Sequence, residues 1–374
     1  MIDARWIFKT LSGIGRYTIN LIQSVLEQDI QNKYILLFDS IEMMHYVKIE
    51  LKLDQYANVN CHLFPHSVFS MMNQIKLPLL IKKLKIDIFH SPNFMIPLLA
   101  PCILIVTIHD LIPLKFPEFA PQSKKSRYFC IYKFLQHIIA RRANIVITDS
   151  ECSREDILEL LSIPVSKVKK ILLDIDPQFN ADSIKRPGIM EQIGDAPYLL
   201  YVGRQDPYKN ILGLLRIFKK LLQLTSNKLY LIIAGEEDKR YPEYQQFVRD
   251  NQLEKVVCFT GYLDHSELQF IYQNAYLFVL PSLYEGFGLT TIEAQACGVP
   301  VVASNRASLP EILCESSILL DPDDEKTWIK IILDFMQNPK KRLSWIEKGF
   351  QNRKRFSWKY AAQETIKTYQ RFGK

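Results

Sequence analysis

SLYEGFGLTTIEAQACGVPVVAS, residues 282–304, is the stretch from which the rest of the chain is read. It divides into a loop, a short helix and a strand. Glu285, Gly286 and Gly288 fall in a turn, with Phe287 between the glycines and Leu289 and Thr290 opening the helix. The helix runs through Ile292 and Ala296; Gly298 stops it, Pro300 bars its continuation, and VPVVAS is a buried strand. The two glycines leave backbone N–H groups uncovered at a helix N-terminus, where the dipole and the donors together bind phosphate or carboxylate. Glu285 stands in the loop and Glu293 two turns into the helix, eight residues on. Two carboxylates of different exposure beside an anion cradle suit a ligand carrying both hydroxyls and phosphates. A sugar nucleotide is such a ligand.

At 374 residues the chain exceeds one ordinary core and implies two domains. A hydrophobic share of 48% with 23% charged residues is that of a globular protein and excludes a disordered one. The longest uncharged apolar run, 94–108, is broken by Pro97 and Pro101, and a spanning helix needs roughly twenty residues, so no transmembrane segment is expected. The start, MIDARWIFK, lacks a signal-peptide pattern, which points to the cytoplasm. Seven cysteines without CxxC pairs support neither a zinc site nor a disulfide framework; buried free thiols are expected.

The net charge of +7 is uneven. Residues 122–142 hold Lys124, Lys125, Arg127, Lys133, Arg141 and Arg142 with no acid, and four aromatics sit among them. Such a helix either makes peripheral contact with an anionic membrane or packs its aromatics into the core. Nucleic acid is not an expected partner, because no recognition motif accompanies the charge. Residues 66–85, rich in Met, Leu and Lys, form a second amphipathic candidate.

Outward from residues 282–304, strands and helices alternate in two successive runs. The first opens with the strand MIDARWIF, the loop LSGIGRYT and a helical pattern from Tyr17 to Leu26. Gly13 and Gly15 after a strand and before a helix are a second candidate anion cradle. YILLF (34–38) is a buried strand, and CILIVTIHD (102–110) delivers His109 at a strand's carboxyl end, where ligands of open α/β sheets sit. ANIVITDS leads into a helix that Ser150 or Ser153 can cap. Residues 179–196 read as a linker between a first domain, 1–178, and a second, 197–356. The second run holds PYLLYVGRQDPYKN with Gly203, Arg204 and Lys209, then KLYLIIAGE, then VVCFTGYL with Gly261, Tyr262 and Leu263. A final helix, 357–374, crosses back to the first domain. The fold class is α/β: two Rossmann-like domains facing across a cleft.

SGIGRYT (12–18), IHDLIPL (108–114), TDSECSRE (148–155), VGRQDPYKN (202–210), IIAGE (232–236), FTGYL (259–263), YEGFGLTTIEAQACGVPVVAS (284–304) and LPEI (309–312) occur in this order. With them the chain resembles the retaining nucleotide-sugar glycosyltransferases of family 4, which have the GT-B fold. Glu285 and Glu293 stand as that family's E-x7-E pair. The resemblance covers nearly the whole chain and departs at the N-terminus, where the first strand is shorter by a few residues. It implies that Arg204 and Lys209 grip the donor diphosphate and neutralise the charge growing on it. It implies that Glu285 meets the sugar hydroxyls and Glu293 the ribose, with the phosphates near the N–H groups of 288–290 and the base near 261–263. His109 would approach the transferred sugar, and Gly13 and Gly15 the phosphate or acceptor side.

The resemblance further implies retention by same-face attack, with the leaving phosphate taking the acceptor's proton, and no metal or other cofactor. Asp321-Pro322-Asp323 has the letters of a D-x-D motif, but the family has an ordinary loop there. The expected partners are a nucleotide-sugar donor and a glycan or lipid-linked glycan acceptor. Mannose from GDP-mannose is favoured, in O-antigen, lipopolysaccharide or capsule assembly; a rhamnosyl- or glucosyltransferase using a dTDP- or UDP-sugar is the alternative. Two other classes compete. A nucleotide-binding oxidoreductase would need the third glycine that GIGRYT lacks. A non-catalytic glycan- or membrane-binding module need not keep Arg204, Lys209, Glu285 and Glu293.

Overall fold

The computed structural model describes residues 1–9, 13–119, 129–180, 185–225 and 228–372. The chain divides into two units: Met1–Lys115, Tyr128–Asp176 and Ser357–Lys374 form one, Phe116–Arg127 and Pro177–Phe356 the other. The first carries seven strands: β1 Ile2–Asp3, β2 Tyr34–Phe38, β3 Val59–Leu63, β4 Ile88–Ser91, β5 Ile103–Thr107, β6 Ile145–Thr148 and β7 Val168–Lys170. They form one parallel sheet in the order β3-β2-β1-β4-β5-β6-β7. The second unit carries β8 Tyr198–Val202, β9 Tyr230–Ala234, β10 Val257–Gly261, β11 Leu277–Leu280, β12 Val301–Ser304 and β13 Ile318–Leu320. Their order is β10-β9-β8-β11-β12-β13, again parallel throughout.

Parallel sheets covered on both faces need strands that are apolar along their whole length. YLLYV, YLIIA, LFVL and VVAS are buried at every position. Each sheet begins at its middle. β1 lies between β2 and β4, and β8 between β9 and β11. The chain therefore leaves β8 and β11 on opposite sides, and the crevice at their carboxyl ends is where such sheets take ligands.

The first strand departs from expectation. After Asp3 the chain enters a 3-10 turn, Ala4–Trp6, instead of running on to residue 8. The cause is the Asp3 carboxylate, which accepts from the Arg5 backbone N–H at 3.3 Å and from Arg5 Nε and Nη2 at 2.7 Å each. Arg5 is buried and spends its remaining donor on the Asn73 and His66 oxygens, so the pair is fully satisfied out of water. The loop expected over 11–18 is shorter too, because the helix Gly13–Gln28 begins at Gly13.

Helix Trp358–Gln370 belongs to the first unit and packs along Gly13–Gln28. Ser357 caps it, and Trp358 Nε1 donates to the Ile175 carbonyl at 2.8 Å. Of the two candidate caps of Glu151–Leu161, Ser150 is the one, its side chain accepting from the Ser153 N–H. The residues read as a linker contain the turn Pro177–Asn180 and the short helix Ile189–Ile193, both in the second unit. Of the basic stretch, Lys124, Lys125 and Arg127 lie outside the described residues; Phe129–Arg142 is a helix with Tyr132 and Ile139 buried. Among the described residues no helix is long and apolar enough to cross a membrane. All seven cysteines are free, but only Cys258 is buried; Cys130 and Cys314 sit on exposed helical turns.

Candidate functional site

Lys209 ends the 3-10 turn Pro207–Lys209 that follows β8, and Glu285 lies in the loop after β11. Although 76 positions apart, they meet: Lys209 Nζ donates to Glu285 Oε1 at 2.7 Å and Oε2 at 2.8 Å. Ser282 Oγ adds a third donor to Oε1 at 2.7 Å. Glu285 is 6% exposed, so its charge depends on these donors. The two loops are tied together by their backbones as well. Leu283 N–H donates to the Tyr208 carbonyl at 2.7 Å, and Asn210 Nδ2 to the Pro281 carbonyl at 3.2 Å.

The glycine turn is rigid. Gly288 is the N-cap residue of Leu289–Ala296 with φ +93°, and a Cβ there would lie 2.8 Å from Leu309 Cδ2. Ser308 Oγ bridges the carbonyls of Glu285 and Phe287 at 3.0 Å each, and Thr291 Oγ1 donates to the Gly288 carbonyl at 2.7 Å. No side chain caps this helix, so its first N–H groups face a ligand or water. Gly286 is half-buried, and Phe287 is buried with its ring 5.9 Å from that of Phe356. Glu293 stands one turn into the helix, not two, because the helix starts at Leu289. Its Oε2 accepts from the Tyr272 hydroxyl at 2.8 Å. Burial, then the neighbouring Glu293 charge, push the Tyr272 pKa well above the ordinary phenol range, so this hydroxyl stays a donor.

Arg204 follows Gly203 at the end of β8 with its side chain 73% exposed and held by the buried Asp206 at 3.0 Å. Asp206 is also 3.7 Å from Arg240, which is paired with Asp238. Between them Gln205 is buried with neither amide atom bonded within the described residues, an arrangement that costs roughly 1–3 kcal/mol unless something meets it. The Gly203 carbonyl fills the place where a Cβ of Gly235 would go, so Gly235, at φ +144°, admits no side chain. Gly261 ends β10; beyond it Tyr262 is exposed and Leu263 half-buried. Asp321 and Asp323 face Arg306 at 3.2 and 3.9 Å, as surface ion pairs.

In the first unit His109 follows β5. Its Nδ1 lies 2.5 Å from Asp149 Oδ2 and its Nε2 3.1 Å from the Pro92 carbonyl. A carboxylate and a carbonyl both accept, so the ring meets them with two N–H groups, as imidazolium. Burial alone would lower the His109 pKa; the Asp149 charge and hydrogen bond outweigh it and raise it. Tyr17 stands edge-on to the ring at 4.7 Å and shares Thr107 with His90, which burial keeps neutral down to about 3. Gly13 opens its helix with nothing within 4 Å of a notional Cβ, and Gly15 is buried in the first turn.

Residues 11–179 match the model of Glycosyltransferase Family 4, and residues 188–352 that of Glycosyl transferases group 1. The chain belongs to the glycosyltransferases of the GT-B fold. This glycosyltransferase is 29% identical to O-antigen chain mannosyltransferase B of Escherichia coli over 96% of each chain. Its fold matches sucrose-phosphate synthase of Thermosynechococcus elongatus at TM-score 0.74 and 18% identity, covering 99% of this chain and 98% of that one. Anabaena Alr3699/HepE in complex with UDP-glucose matches at TM-score 0.74 and 16% identity, with the same coverage.

Several side chains of the candidate site carry little signal in the sequence. Asp206 lies inside VGRQDPYKN, and its place between two cations in the loop was the available signal. Tyr272, Ser308 and Arg240 act across elements, and nothing local marks them.

Proposed function

We propose that this enzyme is a retaining hexosyltransferase that moves mannose from GDP-mannose to a lipid-linked glycan during O-antigen assembly in the cytoplasm. The observation that carries the reading is the Lys209–Glu285 pair beside the uncapped Gly288 helix terminus, at the carboxyl ends of β8 and β11. Mannose and O-antigen are supported by the full-length likeness to O-antigen chain mannosyltransferase B.

In this reading the donor diphosphate lies against the N–H groups of Leu289 and Thr290. Arg204, exposed and anchored by Asp206, reaches it from solvent, and Lys209 shares its ammonium between Glu285 and the phosphate. As the glycosidic bond breaks, negative charge grows on the leaving phosphate, and both cations stabilise that charge more than the ground state. They do the work without a metal. Glu285, held by Lys209 and Ser282, accepts from the sugar hydroxyls; Glu293, oriented by Tyr272, accepts from the ribose. The base rests on the backbone of 261–263. The leaving phosphate takes the acceptor's proton, so neither glutamate is a general base. The first unit serves the acceptor, with His109 as a fixed hydrogen-bonded cation and not a proton carrier, since both its nitrogens are already engaged.

The test is a thermal-shift panel of GDP-, UDP-, dTDP- and ADP-sugars followed by a transfer assay. A donor at a hundred times its dissociation constant adds about 2.7 kcal/mol of stability. GDP-mannose is expected to raise the unfolding midpoint, and the others are not. A shift confined to a UDP- or dTDP-sugar would replace mannose as the transferred group; no shift with any donor would remove the transferase reading of the site.

A further inference from the structure

In the first unit, segment 93–100 joins two helices. Gln74, on Met72–Lys83, donates to the Ile96 carbonyl at 3.0 Å and accepts from Leu98 N–H at 2.8 Å. Arg142, on Phe129–Arg142, donates to the carbonyls of Leu98 and Ala100 at 2.8 and 2.6 Å. Phe94 packs 6.2 Å from Phe69 and 5.9 Å from Tyr132, which closes the seam at the other end. Each helix buries one stripe: Asn73, Leu77 and Ile81 on one, Tyr132, Gln136 and Ile139 on the other.

What the two helices expose is unusual for a protein surface. Met71, Ile75 and Leu79 recur at every fourth position, each more than half exposed, and Phe69 and Leu99 are as open. Ile131 and Phe134 are likewise exposed on the second helix. Around them stand Lys76, Lys82, Lys83, Lys133 and Arg141, all exposed, and neither helix contains an acid. Large exposed apolar side chains on two helices that one segment ties together, with one sign of charge, mark an interaction surface and not a solvated one.

We propose that this face, built from Met72–Lys83, segment 93–100 and Phe129–Arg142, docks on an anionic phospholipid bilayer. The apolar side chains enter the boundary between headgroups and acyl chains while the lysines stay among the lipid phosphates. Charge selects this occupant over the others. A second copy of the chain meeting the same face about a two-fold axis would set these cations against one another. Nucleic acid would satisfy the lysines and leave Met71, Ile75 and Leu79 in water. A bilayer carrying acidic lipid satisfies both. The proposal is independent of which sugar is transferred.

The test is co-sedimentation of the full chain with phosphatidylcholine vesicles and with vesicles that also contain phosphatidylglycerol. The wild type is expected to bind the second kind and to release in high salt. Lys76→Gln/Lys82→Gln/Lys83→Gln should weaken binding about fivefold per charge, on the order of 100-fold in total. Ile75→Ser/Leu79→Ser should weaken it about tenfold or more. All five side chains are exposed, so the unfolding midpoint should not move; Leu343→Ser, an exposed leucine of the second unit, should bind as wild type. Equal binding by all variants would overturn the proposal. So would wild type that ignores the acidic vesicles, or a dimer in solution that Ile75→Ser/Leu79→Ser abolishes. The assay contains no nucleotide sugar, so its failure is separate from failure of the donor reading.

Discussion

Two glycine-bearing helix starts were both candidates for holding an anion, and they differ. At Gly288 the backbone is left-handed, a Cβ would strike Leu309, and Ser308 and Thr291 fix the surrounding carbonyls. Glu285, with Lys209 on it, stands three residues before the glycine. At Gly13 there is room for a side chain, and Arg16 in the first turn is paired with Asp176 at 2.6 Å. One glycine is demanded by the backbone; the other is merely permitted. A G-x-G pattern alone does not separate the two cases. The tertiary contacts of Gly288 do.

The widest separation is expected from Lys209→Ala. It strands the Glu285 carboxylate in the interior, a loss of about 3–5 kcal/mol, visible as a lower denaturant midpoint together with lost transfer. Adding Glu285→Gln should recover most of the stability and none of the transfer. If the double variant stayed as unstable as the single, the pair would not be what organises these loops. Gly288→Ala comes next. A non-glycine residue held at such a φ costs about 1–3 kcal/mol, and the Leu309 contact adds to it. Tyr272→Phe removes one hydroxyl donor from Glu293, about 1 kcal/mol, and should raise KM for the donor more than it lowers kcat. Gly13→Ala should change stability by less than about 0.5 kcal/mol. Equal damage at positions 13 and 288 would break the comparison.

A pH series sharpens it from the other side. His109 has its pKa raised by Asp149 on folding, so the stabilisation is complete below the unfolded value of about 6.5 and fades as pH climbs through the higher folded value. His90 runs the opposite way: neutral in the folded protein to about 3, it withdraws stability as pH falls. His109→Gln should therefore flatten the alkaline flank of a stability profile. An unchanged alkaline flank would mean that the ring is not held as imidazolium.

Much of the second unit was legible in the sequence because four of its six strands are buried along their whole length, and because Gly298 and Pro300 stop one helix at a definite place. The first unit was less legible at its first strand. The turn after Asp3 comes from a buried arginine whose remaining partners lie more than sixty positions away, and no periodicity shows that. Glu285 and Lys209 were each visible as candidates, but that one holds the other follows only from β8 lying beside β11. Asp206 was hidden by its neighbours' stronger signal, and Tyr272 because its helix carries an ordinary core pattern.

The central claim is that the cations after β8 act on the donor's leaving group. Arg204→Ala tests it most directly, because the side chain is 73% exposed and Arg240 stays beside the buried Asp206, so its loss should leave the fold intact. With GDP-mannose and a lipid-linked acceptor, kcat is expected to fall about 100-fold or more at an unchanged unfolding midpoint. Transfer at the wild-type rate by a protein of wild-type stability would contradict it.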